Sequence, residues 1–159
     1  MLNADSLLAA EISRIRASGV LNDSSLRRLD FLLSGDGILE RALETLDNGA
    51  VTKLTGTPSG RVAWSVASSV SRRSADIDLT ASGVSPDSYA YTIILDGPGA
   101  CTCADFTGHV LSDGWRAKRR VCKHILAVAL ADALGSASRA RSRELTDDEL
   151  AKIIISAYA

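Results

Sequence analysis

The sequence predicts an α+β fold with N-terminal helices, a small antiparallel sheet, a strand-to-helix unit and a C-terminal helix. Three observations carry this prediction. Apolar residues recur at helical spacing through the first 48 positions; β-branched residues then gather in two runs around Pro58-Ser59-Gly60; and helical periodicity returns after Cys122. With 159 residues, 46% apolar and only 4% aromatic side chains, the chain has enough Leu, Ile, Val and Ala for one compact core without a set of disulfides. Within that single domain, residues 1–49 form a helical part. Residues 50–135 hold the sheet and the strand-to-helix unit, the latter from about 89 to 135, and residues 136–159 hold a linker and the last helix.

Taken in order, Leu7, Leu8, Ile12 and Ile15 predict an amphipathic helix over 5–18, stopped by Gly19. Asn22 to Ser25 offer N-caps for a second helix, whose apolar residues are Leu26, Leu29, Phe31, Leu32 and Leu33. Asp36 is placed to cap a third, with Ile38, Leu39, Ala42, Leu43 and Leu46 on one face and Asn48-Gly49 as its exit. Residues 51–57 and 61–69 read as a hairpin in which Val62, Trp64 and Val66 share a face. Residues 68–88, rich in Ser, Gly and Asp, read as a long mobile connection. A strand over 89–95, a turn at 96–99 and a further extended segment lead to Cys101. The helix that begins near Cys122 carries Ile125, Leu126, Val128, Ala129 and Leu130 and ends at Gly135. Residues 136–143 read as a linker, and Thr146 with Glu149 forms a capping box for the last helix.

Charge and cysteine usage narrow the function. Eighteen basic against nineteen acidic side chains give a net charge of −1, so the whole molecule lacks the basic balance of a free-standing nucleic-acid binder. No apolar run approaches the roughly 20 residues that span a bilayer, and the first residues carry acid where a signal peptide carries base. An intracellular protein is expected. Three cysteines are an odd number, and Cys101 and Cys103 are too close in sequence to pair well with each other.

The same spacing suits a shared metal. In an extended segment Cys101 and Cys103 point to one side, while Cys122 and His124 converge only if the chain is just entering its helix, since mid-helix they diverge by about 200°. Three thiolates and an imidazole close a tetrahedron around one structural Zn²⁺. Two other readings are three buried free cysteines beside an unrelated histidine, and a catalytic zinc; the latter conflicts with a shell already filled by four protein ligands. His109 is the one other histidine, read as surface or as a residue near the ligands, the alternative being a further ligand or a proton shuttle.

CTC at 101–103 and CKH at 122–124, followed at once by ILAVALADAL, resemble the SWIM zinc finger. LRRLDFLLSG and ILERALETLDNGAVTKLTGTPSGRVAWSV extend the likeness to the small SWIM-domain subunit of Shu-type complexes, the zinc finger SWIM domain-containing protein 7 family, over roughly residues 24–135. Ala127 matches a further trait of that family's helix. The resemblance implies zinc on Cys101, Cys103, Cys122 and His124, and a nuclear protein partnered with a RecA-like recombinase paralogue. It further implies that the pair promotes homologous recombination by helping recombinase filaments form on single-stranded DNA. The 68–88 insertion and the Ser/Arg stretch after 135 depart from the small animal members of the family.

Trp115, Arg116, Lys118, Arg119, Arg120 and Lys123 cluster beside the zinc element as a candidate strand-binding lip, the alternative being a solvated basic loop. Leu26, Leu29, Phe31 and Leu32 are the candidate partner-binding surface, the alternative being that they belong to the core. TGTPSGR at 55–61 lacks the Gly-Lys-Ser/Thr ending of a phosphate loop and reads as a turn. With no paired carboxylates and no nucleophile elbow, no catalytic activity is expected. The rival reading is a SWIM module that serves as a general protein-interaction adaptor.

Overall fold

A computed structural model of the chain describes residues 4–33, 36–68, 90–95, 99–111 and 121–158. The long connection read at 68–88 lies, after Ser68, outside the described residues.

Three helices come first. Helix α1 (Ala4–Ser18) ends where Gly19 turns to φ 65° and donates its N–H to the Ile15 carbonyl at 2.8 Å. Helix α2 (Asp23–Leu32) starts from Asn22, whose side chain accepts the Ser25 N–H at 2.9 Å. Helix α3 (Ile38–Asp47) corrects the expected cap: Gly37, not Asp36, occupies the N-cap, at φ 66° and without a side-chain hydrogen bond. The left-handed backbone there suits glycine.

Strands β1 (Val51–Thr57) and β2 (Val62–Ala67) form the antiparallel hairpin, and β3 (Ala90–Ile94) and the two-residue β4 (Ala100–Cys101) extend it on the β2 side. A short π-helical segment, Phe106–Leu111, follows. Helix α4 (Lys123–Leu134) then leads through a 3₁₀ turn at Gly135–Ala137 into β5 (Arg141–Thr146), and α5 (Asp147–Tyr158) closes the described chain. The Ser/Arg stretch is therefore not a linker throughout. Its end pairs with β1 in parallel, from Thr52 opposite Arg141 to Thr57 opposite Thr146, so the sheet is mixed, in the order β4-β3-β2-β1-β5.

The sheet is covered on both faces. Val51, Trp64, Val66, Ile93 and Cys101 point toward α1–α4, where the main core lies. Leu54, Ala63 and Leu145 point the other way, against Leu150 and the partly buried Ile153 and Ile154 of α5. The α5 contact is close at Gly56: a Cβ there would lie 2.6 Å from Asp147 Oδ1 and 3.0 Å from Leu150 Cδ2, so the Asp147 side chain would have to shift from its hydrogen bonds to Ser59. The capping box starts α5 as expected, with Glu149 accepting the Thr146 N–H at 2.8 Å and Thr146 Oγ1 accepting the Glu149 N–H at 3.3 Å.

Helix α4 is the centre of the larger layer. It buries His124, Ile125, Leu126, Ala127, Val128, Leu130, Ala131 and Ala133, so it is enclosed nearly all round and packs on α1, α3 and the sheet. Helices α1 and α2 are joined by an ion pair: Arg28 meets the fully buried Glu11 with two nitrogens, at 2.7 and 3.0 Å, and Arg14 adds a third contact at 3.0 Å.

Candidate metal centre

The site is assembled where the short strand β4 and the start of α4 meet on the main-core face. Antiparallel pairing sets Cys101 opposite Ile93. Thr102 turns away, its Oγ1 accepting the Thr92 N–H at 3.1 Å and its own N–H reaching the Thr92 carbonyl at 3.3 Å. Alternation along the extended chain therefore sends Cys101 and Cys103 to the same side. After Cys103 the chain coils, with the N–H groups of Phe106 and Thr107 both on the Cys103 carbonyl at 3.1 Å.

Cys122 supplies the other half. It is the N-cap of α4, with extended backbone angles, and its Sγ accepts the Ile125 N–H at 3.5 Å, as a Ser or Asp oxygen would. Being outside the first helical turn, it does not diverge from His124 as two mid-helix residues would. The ligand atoms of Cys101, Cys103, Cys122 and His124 all lie within 4.8 Å of one another, and all four residues are buried. Four ligands at about 2.0–2.3 Å from one Zn²⁺ stand on the order of 3.5 Å apart in a regular tetrahedron. The observed cluster is of that size. His124 Nδ1 lies 3.9 Å from Cys101 Sγ.

The electrostatics of the sulfurs agree with a cation site. Cys103 accepts hydrogen bonds from Cys101 and Cys122, then from His124 and the Phe106 N–H, which draw its thiol far below the ordinary range. The Cys101 thiol, bonded to Cys103 and Cys122 and buried, is pushed far up. At Cys122 the Cys101 contact lowers the pKa, but Cys103 and burial outweigh it and raise the thiol to about 11. Three sulfurs so close cannot all ionise beside one another; a divalent cation among them reverses that and makes all three thiolates. The dipole at the start of α4 favours the same charge state. The four residues thus form a metal site whose donor set suits zinc, and they fill a tetrahedral shell by themselves.

Tyr91 belongs to the site and is not evident from the motif. Its ring lies 4.4 Å from that of His124, tilted by 31°, and so fixes the imidazole plane from the β3 side. The signal for it is strand alternation, because Tyr91 is two residues from Ile93, the partner of Cys101.

The remaining sequence candidates fall elsewhere. Lys123 is the half-buried first residue of α4, next to the ligands, whereas Trp115, Arg116, Lys118, Arg119 and Arg120 lie outside the described residues. His109 lies in the π-helical segment, with its side chain outside the described set. The four candidate partner residues on α2 divide between two faces: Leu29 is 0% exposed and belongs to the core, and Leu26 packs against that core. Phe31 is 84% exposed, and Leu32 is half-buried beside it. A helix turns 100° per residue, so the four leucine and phenylalanine positions cannot share one outward face.

No protein-family model, curated protein or solved structure matches the chain.

Proposed function

We propose that the chain is a SWIM-type, non-enzymatic accessory subunit of a Shu-type complex. In this reading it works in the nucleus with a RecA-like recombinase paralogue, helping the recombinase filament assemble on single-stranded DNA during homologous recombination repair of DNA damage. The observation that carries the reading is the buried tetrad Cys101, Cys103, Cys122 and His124 at the junction of a strand and the central helix. Its Cys-x-Cys and Cys-x-His spacing is that of the SWIM element, and its four protein ligands leave no position for a reacting water. The zinc is then architectural: it ties β4 to the start of α4 and contributes folding free energy directly. ATP hydrolysis belongs to the partner.

A general adaptor role is the second reading, favoured by the net charge of −1, which offers no long-range attraction to DNA. One experiment separates the two. Zinc content and thermal stability are measured for the wild type and Cys122→Ala, and each is mixed with purified RecA-like paralogues in a pull-down. One zinc per chain, with zinc and paralogue capture both lost in the variant, supports the recombination subunit. A zinc protein that captures no paralogue supports the adaptor, and a metal-free folded wild type removes the SWIM assignment altogether.

A further inference from the structure

A groove of about 340 Å³ runs between α1 and α2, and none of its lining residues belongs to the metal cluster. Its walls are Leu7, Phe31 and Leu32, two of which are large apolar side chains left in solvent: Leu7 is 41% exposed and Phe31 84%. Its rim is basic. Arg14, Arg27 and Arg28 all line it, with Glu11 as the single carboxylate. Glu11 is turned inward and is already held by Arg28 and Arg14. Arg27 is exposed and has no ion-pair partner among the described residues. Three guanidiniums against one buried carboxylate leave an excess of two positive charges around an apolar floor, on a chain whose overall charge is −1.

We infer that this groove docks an acidic amphipathic helix of a partner protein, its apolar anchors set between Phe31 and Leu7 and its carboxylates on Arg14, Arg27 and Arg28. Charge decides among the possible occupants. A second copy docking through the same face would set arginine against arginine, because a two-fold contact opposes like surfaces. Nucleic acid would find the charge but would leave the apolar walls unused, whereas a helix laid in a groove between two helices uses both, through anchors at i, i+3 or i+4 and i+7. Guanidinium forks match carboxylates in pairs, which gives the contact orientation as well as attraction. The inference concerns a different surface from the metal cluster and does not depend on which complex the chain joins.

The test uses the full zinc-loaded chain and a fluorescein-labelled helical peptide of about 16 residues, with Leu at i, i+3, i+4 and i+7 positions and Glu at most others. Its counterpart with Lys for Glu and a thymidine oligonucleotide are the comparison probes, and binding is read by fluorescence anisotropy. Phe31→Glu and Arg27→Glu replace exposed side chains, so both variants keep the wild-type zinc content and thermal midpoint. The acidic peptide binds the wild type, and each variant weakens it by roughly tenfold or more. Raising salt weakens the wild-type complex more than the Arg27→Glu complex. The inference is overturned if the acidic peptide does not bind, if the basic peptide binds as well, if the two variants bind like the wild type, or if only the oligonucleotide binds and both variants abolish that binding.

Discussion

Replacing Glu11 by glutamine tests the contact that joins the first two helices. The carboxylate is 1% exposed and accepts three guanidinium hydrogen bonds, two from Arg28 and one from Arg14. Arg28, first, and then Ser25 and Arg14 hold it down against the opposing effect of burial, so that its pKa falls from 4.5 to about 2. A folded-state pKa below the unfolded one means that the contribution is complete above pH 4.5, shrinks as the pH falls through the interval from 4.5 to about 2, and is gone below it. The full shift corresponds to roughly 3 kcal/mol. Because the arginine side chains are 66% and 43% exposed, solvent screening reduces that to about 1–2 kcal/mol. Glutamine keeps the shape but has no charge, and it presents an N–H₂ to donors that need an acceptor, so at pH 7 the variant should lose about 2 kcal/mol in urea unfolding. The diagnostic reading is the pH profile. Wild-type stability should fall more steeply than that of Glu11→Gln between pH 4.5 and 2, and the two should converge at the acid end. Parallel profiles, or a loss at pH 7 below about 0.5 kcal/mol, would refute the argument that this pair carries its charge interaction into stability.

The other predictions concern the sheet, the last helix and the metal. Gly56→Ala puts a methyl group 2.6 Å from Asp147 Oδ1 and should cost about 1–3 kcal/mol, seen as a lower thermal midpoint with an unchanged zinc content. Thr146→Ala removes the capping box of α5 and should cost about 1 kcal/mol in chemical denaturation, whereas the same change at Ser142 on the exposed part of β5 should cost less than half as much. Leu126→Ala, in a helix enclosed on nearly all sides, should cost about 2–5 kcal/mol. Removing zinc from the wild type with a chelator should lower the midpoint by at least about 10 °C; a midpoint that does not move would show that the tetrad does not fold around a metal.

What could be read from the chain was local. Gly19, Asn22 and the Thr146–Glu149 pair each act on a neighbour three or four positions away, and all three do so in the structure. The four ligands were legible for the same reason, since two short spacings carry the geometry once Cys101 is extended and Cys122 is at a helix start. What escaped depends on distant partners. Arg141–Glu144 has no apolar residue and every position is exposed, so nothing in that segment announces a strand; it becomes one only because β1 has a free side to pair with. Likewise, Leu29 and Phe31 are alike in composition, and only the approach of α1 decides that the first is buried and the second is not. The ring of Tyr91 reaches His124 through a register between strands that no single segment reveals.

The parallel pairing of β5 with β1 bears on how the chain is made. Ser59, in the turn after β1, bonds to Asp147 across 88 positions of sequence, so during synthesis the first hairpin leaves the ribosome long before its second neighbour exists. Until then β1 is an open edge, and Leu54 and Ala63 face solvent without α5 over them. A nascent chain stalled before Arg141 therefore presents an uncovered apolar sheet face beside an unpaired strand, the combination that recruits chaperones or other unfinished chains. Strand β5 and helix α5, far along the chain from the hairpin, are the elements that end this exposure.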